Sequence, residues 1–147
     1  MFNELDRFSE LDRALGIDYN LNLWFDDAIF YVRTLINGLD RVGWDRLRSE
    51  WRVRPISWQV RLAQAAFAAN DPRAIDVLRD MLRSSNVQVA LAAVETLNEE
   101  AIDERWAPTD STKEDLQRLL RFAEGEARQT IESLIARTPE VARSATS

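Results

Sequence analysis

Apolar positions recur along this chain at intervals of three and four residues, the spacing that puts them on one face of a helix. Leu5, Phe8, Leu11 and Leu15 form the first such stripe, with Asn3 as the expected N-cap and Gly16 placed to end the helix. Residues 17–23 hold two Asn and an Asp and are expected to form a loop. Ala28, Ile29, Val32, Leu35, Ile36 and Leu39 then predict a second helix, closed by Asn37-Gly38. Trp44, Leu47 and Trp51 mark one face of a short third helix, which must stop before Pro55 because proline disfavours helical backbone at Arg54. Ser57 is the expected cap of a fourth helix. From Leu62 to Ala69 that helix is apolar on nearly every side, the pattern of a segment packed in a core.

Asp71-Pro72 predicts the start of a fifth helix running to about Arg83, the Asp capping free N–H groups and the Pro fitting the first helical position. Asn86 caps a sixth, with Val87, Ala90, Leu91, Val94 and Leu97 on its apolar face. Residues 98–110 read as a long acidic connection containing Trp106 and Pro108. Ser111-Thr112-Lys113-Glu114 fits a capping box opening a seventh helix with Leu116, Leu119, Leu120 and Ala123 inward. Gly125 is expected to break that helix. Ala127, Ile131, Leu134 and Ile135 predict a last helix before Thr138-Pro139, and residues 138–147 are expected to be a disordered tail. The pattern predicts an all-α fold of about eight helices, and the scarcity of helix breakers, four Gly and four Pro, agrees.

The helices repeat. Trp58-Gln59-Val60-Arg61-Leu62-Ala63 aligns with Val87-Gln88-Val89-Ala90-Leu91-Ala92 at an offset of 29 residues. Val94-Glu95-Thr96-Leu97 returns as Ile131-Glu132-Ser133-Leu134 at 37, and Leu78, Met81, Leu82 and Arg83 match Leu116, Leu119, Leu120 and Arg121 at 38. Two helix types alternating in this way predict stacked antiparallel helix pairs, each burying its apolar face on the next. Through Asp71-Pro72-Arg73-Ala74 and Ser85-Asn86-Val87-Gln88-Val89-Ala90, residues 55–137 resemble the HEAT-repeat family. The resemblance implies a short alpha-solenoid and a protein-binding habit. Residues 1–54 depart from it and are expected to form an N-terminal helical cap within a single domain spanning residues 1–147.

Composition narrows the chemistry. The chain has no His, which removes the commonest general base and metal ligand, and no Cys, which removes the thiol nucleophile, disulfides and thiolate metal sites. Lys113 is the single lysine, and no Gly-rich phosphate loop, nucleotide fingerprint or calcium-loop pattern occurs. No catalytic residue, metal site or cofactor is therefore expected. The longest apolar run, Ala65-Ala66-Phe67-Ala68-Ala69, is far short of the roughly 20 residues of a membrane span. The first residues lack the basic start and apolar run of a secretion signal, so a cytoplasmic home is expected. A net charge of −6 disfavours nucleic acid and anionic membranes and suits a basic partner.

Residues 1–30 carry seven acids against two arginines, and residues 95–115 carry eight acids against Arg105 and Lys113. Asp26 and Asp27 belong to the first turn of the second helix, where negative charge suits the helix dipole, and are also candidates for partner contact. Glu99, Glu100, Asp103 and Glu104 could gather a divalent cation, but a solvated loop or a protein contact is the simpler use. Trp106 is either an aromatic anchor for a partner or packs beneath its own loop. Between Arg33 and Arg61 seven arginines interleave with Trp44, Trp51 and Trp58, a mixture that binds nucleic acid in some proteins. Helical spacing favours the plainer reading, with core tryptophans and arginines paired to neighbouring acids.

The stretch Trp51-Arg52-Val53-Arg54-Pro55-Ile56-Ser57-Trp58-Gln59 through Leu62-Ala63 resembles small helical-repeat immunity proteins. That resemblance implies a non-enzymatic protein that neutralises a toxin, with a basic nuclease domain as the expected partner. A helical-repeat adaptor or regulatory subunit is the alternative. An enzyme on the same scaffold, a DNA glycosylase or a chromophore lyase, is a third.

Overall fold

The computed structural model describes residues 7–139. Asn3, Leu5 and the tail beyond residue 139 lie outside the described residues, and all regular structure within them is helical. The chain divides into two compact units, Met1–Val77 and Leu78–Ser147.

In the first unit, α1 (Arg7–Leu15) ends where Gly16 N–H donates to the carbonyls of Asp12 and Arg13. The expected loop to residue 23 is shorter than the sequence predicts. The side chain of Asn20 accepts from Leu23 N–H at 2.8 Å and starts α2 (Leu21–Leu23). The Asn taken for a loop former is thus a helix cap, two uses of one short amide side chain. A π-helical turn, Trp24–Ala28, continues α2 into α3 (Ile29–Asn37), which stops at Gly38 as expected.

Asp40 caps α4 (Arg41–Glu50) through Gly43 N–H, and a Cβ on Gly43 would stand 2.8 Å from Leu39 Cδ2. A 3₁₀ turn, Trp51–Val53, leads to Pro55 and then α5 (Ile56–Ala65). Pro55 occupies the N-cap position, and Ser57 lies inside the helix instead of capping it. The alanine-rich run does not stay helical to Ala69. Ala68 takes a left-handed backbone, φ 59°, and turns the chain.

Four indoles, those of Trp24, Trp44, Trp51 and Trp58, are buried in this unit with Phe8, Leu11, Leu15, Val32, Ile36, Leu47 and Leu62. Asp12 is its polar hub. The Arg54 guanidinium donates Nε and Nη2 to the two Asp12 carboxylate oxygens at 2.9 Å each, and Trp58 Nε1 donates to Asp12 Oδ1 at 3.0 Å. Arg54 also reaches Glu50, and these two carboxylates raise its pKa, the Asp12 hydrogen bond first.

Helix α6 (Arg73–Met81) spans the boundary between units and opens on Asp71, whose Oδ1 accepts from Arg73 N–H at 2.9 Å. In the second unit Asn86 caps α7 (Val87–Ile102), as its position predicts, through Val89 N–H. The helix runs on through Asn98–Ile102, so the first part of the expected acidic connection is helical. Thr109, not Ser111, caps α8 (Asp110–Leu119), its Oγ1 accepting from Thr112 N–H at 3.3 Å. After a 3₁₀ turn, Leu120–Phe122, Gly125 opens α9 (Gly125–Ala136) at φ 61° and does not end the helix before it. Leu78, Met81, Leu82, Ala90, Ala93, Leu97, Leu116, Ile131 and Leu134 are buried here. The buried Asp115 accepts from Arg83 Nε and Arg118 Nη1, each at 3.1 Å.

Removing the hub should be costly. Asp12→Ala strips Arg54 of its bidentate partner and is expected to lower stability by about 2 kcal/mol in urea unfolding, with Asp12→Asn, which keeps an acceptor for Trp58, losing less. An unchanged midpoint for Asp12→Ala would show the hub to be inert. Ala68→Gly should relieve the left-handed backbone and gain about 1 kcal/mol by the same measurement, whereas a loss would mean that the Ala68 methyl contributes more than its strain costs.

Candidate functional site

The continuous rod formed by α2, the π turn and α3 buries Trp24, Ala28, Val32 and Ile36, spaced by four each time. In an ideal α-helix, with 3.6 residues per turn, that spacing drifts by about 40° per step and about 120° over three. The wider π turn, in which Ile29 N–H donates to Trp24 O five residues back, absorbs part of the drift and keeps the four side chains inward. Trp24 fixes the rotation of the rod. Its Nε1 donates to Gln64 Oε1 at 2.8 Å, and the Arg61 guanidinium lies 5.7 Å from its ring centroid.

With that side fixed inward, the other points out. Leu21, Phe25, Phe30 and Tyr31 are exposed by 75%, 48%, 56% and 52%, far more than apolar side chains of this size usually are. Phe25 follows Leu21 by four residues and Phe30 follows Phe25 by five, the neighbour spacings of an α and a π turn. Asp26 and Asp27 stand exposed between them and form no ion pair among the described residues. The structure therefore joins two sequence candidates, Asp26 and Asp27, to an apolar set the sequence reading did not single out. The available signal was that Phe30 and Tyr31 fall off the inward stripe of their own helix, whereas Phe25, three and four residues before Ala28 and Ile29, falls on it.

The second acidic region is not one surface. Glu100 is only 4% exposed and accepts from Arg105 Nε at 2.9 Å, while Arg105 Nη2 donates to Asp103 Oδ2 at the same distance. These contacts raise the Arg105 pKa, the Glu100 hydrogen bond contributing most. Glu100 thus holds the turn after α7 together and is withdrawn from solvent, contrary to its expected place among surface contacts. Glu99 and Glu104 remain exposed, and Glu104 has a left-handed backbone, φ 62°. Trp106 is half-buried. It lines an open cleft of about 390 Å³ with Ala101, Glu104, Arg105, Ala107 and Arg137.

Among the described residues no three carboxylates converge as a metal-binding group. The interleaved tryptophans and arginines are no stacking surface either. Trp44, Trp51 and Trp58 are buried, and Arg46 and Arg54 pair with Glu50 and Asp12. No helix among the described residues is long and apolar enough to cross a membrane. Comparison with family models, curated proteins and solved structures gives no match to this chain.

The pairing of Glu100 with Arg105 makes a directional prediction. Arg105→Ala, which takes the guanidinium away from a buried carboxylate, should lower the unfolding midpoint more than the double variant Glu100→Leu with Arg105→Ala, which removes both charges. Equal midpoints for the two would mean that Glu100 draws nothing from Arg105.

Proposed function

We propose that this chain works by binding a basic protein, and that it is an immunity protein neutralising a cognate toxin, with a nuclease domain as the partner its charge suits. One observation carries the reading: large apolar side chains at Leu21, Phe25, Phe30 and Tyr31 lie exposed beside Asp26 and Asp27, neither of which forms an ion pair among the described residues. Exposed aromatics lower their free energy when a partner covers them, and they are the residue type that anchors interfaces. Unpaired acids add long-range attraction for a positively charged partner and penalise an acidic one. The net charge of −6 extends that attraction beyond the face itself. The absence of imidazole and thiol from the sequence, and the helix repeats that resemble the HEAT-repeat family, support a binding role over a catalytic one.

Co-expression with a basic nuclease toxin domain captured as the binding partner of this chain tests this. The wild-type chain should restore growth. Asp26→Lys combined with Asp27→Lys should abolish rescue and slow association about tenfold at low salt, with the unfolding midpoint unchanged. Full rescue and an unaltered association rate in that double variant would remove this face from the binding reaction.

A further inference from the structure

Arg7, Arg46, Arg54, Arg61 and Arg73 of the first unit have evident polar partners, and Arg13, Arg41, Arg48 and Arg52 are exposed to solvent, whereas Arg33 is half-buried. Arg46, Arg54 and Arg73 pair with carboxylates, Arg61 donates to the carbonyls of Ile17 and Tyr19, and Arg7 donates to that of Gly38. Arg33 differs. Its guanidinium lies over two rings, 5.6 Å from the Phe30 centroid and 5.5 Å from the Phe67 centroid. Its one hydrogen bond among the described residues is long, Nη2 to Gln64 O at 3.5 Å, and its Nε is buried without an acceptor there. No carboxylate pairs with it among the described residues, although the chain has 25 acids to offer. Burial lowers its pKa, as expected of a cation left without an anion.

A planar, partly desolvated guanidinium beside aromatic rings, with its Nε unpartnered, is suited to a planar oxyanion. Phe30, one of those rings, belongs to the exposed face described above, so whatever covers that face meets Arg33 at its edge. We infer that Arg33, beside the rings of Phe30 and Phe67, is the receptor for a carboxylate side chain of the protein partner. This rests on the protein-binding reading and sharpens it: the contacting segment carries basic residues for Asp26 and Asp27 and one acidic residue for Arg33. A polyanion such as nucleic acid would meet Asp26 and Asp27 on the same face and be repelled. Opposite signs side by side also fix register, because a partner shifted along the face would place like charges together.

The intact chain with isotope-labelled arginine allows a test that needs no partner. N-acetyl-aspartate amide should move the Arg33 Nε–Hε resonance saturably, its neutral isostere N-acetyl-asparagine amide should not, and Arg33→Lys should lose the response by losing the planar fork. Arg33→Met, which keeps the apolar stem, should leave the unfolding midpoint unchanged or raise it while abolishing growth rescue. An equal response to both amides, no response to either, a stronger response to inorganic phosphate, or a marked drop in the Arg33→Met midpoint would each overturn the proposal. Failure of the wild-type chain to rescue growth would instead sink the toxin reading, leaving the titration to decide on Arg33.

Discussion

The hydrogen bond from the Trp24 indole to Gln64 sets what the first unit can present to its surroundings. A buried indole N–H left unpaired costs a kilocalorie or more, so the rod of α2, the π turn and α3 is held with Trp24 inward. A helix has only so much circumference. Once Trp24, Ala28, Val32 and Ile36 are committed to the core, Phe25, Asp26, Asp27 and Phe30 have nowhere to point but out. The exposed face is thus the geometric complement of a well-packed interior.

The same unit shows how an acidic protein distributes its charge. Asp12 and Glu50 are consumed by Arg54 and Arg46, and the Glu50 carboxyl is held below its ordinary pKa by hydrogen bonds from Arg46 and then Arg54. Among the described residues, Asp26 and Asp27 on one side and Arg33 on the other stay outside such pairs. Internal pairs stabilise geometry and neutralise each other at long range, whereas isolated charges keep their field for an encounter. In the second unit the balance tips toward internal use, since Glu100, Asp103 and Asp115 are all engaged by arginines.

Helix existence was legible because the apolar spacing of α3, α4, α7 and α9 is dictated by burial, and burial governs periodicity. Boundaries were harder. Asn20, Thr109 and Gly125 each belong to residue types that either start or stop a helix, and only the surrounding packing selects which. The π turn was not legible, since it is a backbone response to four inward side chains spaced by four. Asp26 and Asp27 could be picked out from charge alone. Of their apolar neighbours Phe25 could not, because at three and four residues before Ala28 and Ile29 it looks like a core residue until the rotation of the rod is known. Glu100 was misplaced for a related reason: a run of acids reads as surface, and only the position of Arg105 reveals that one of them is buried.

On the proposed reading, this chain meets its partner on the outward side of the α2, π-turn and α3 rod. Hydrogen–deuterium exchange on the full chain, free and bound to the captured partner protein, tests it most directly. The claim requires new protection centred on residues 21–34. Protection confined to the turn after α7, with residues 21–34 exchanging as in the free chain, would contradict it.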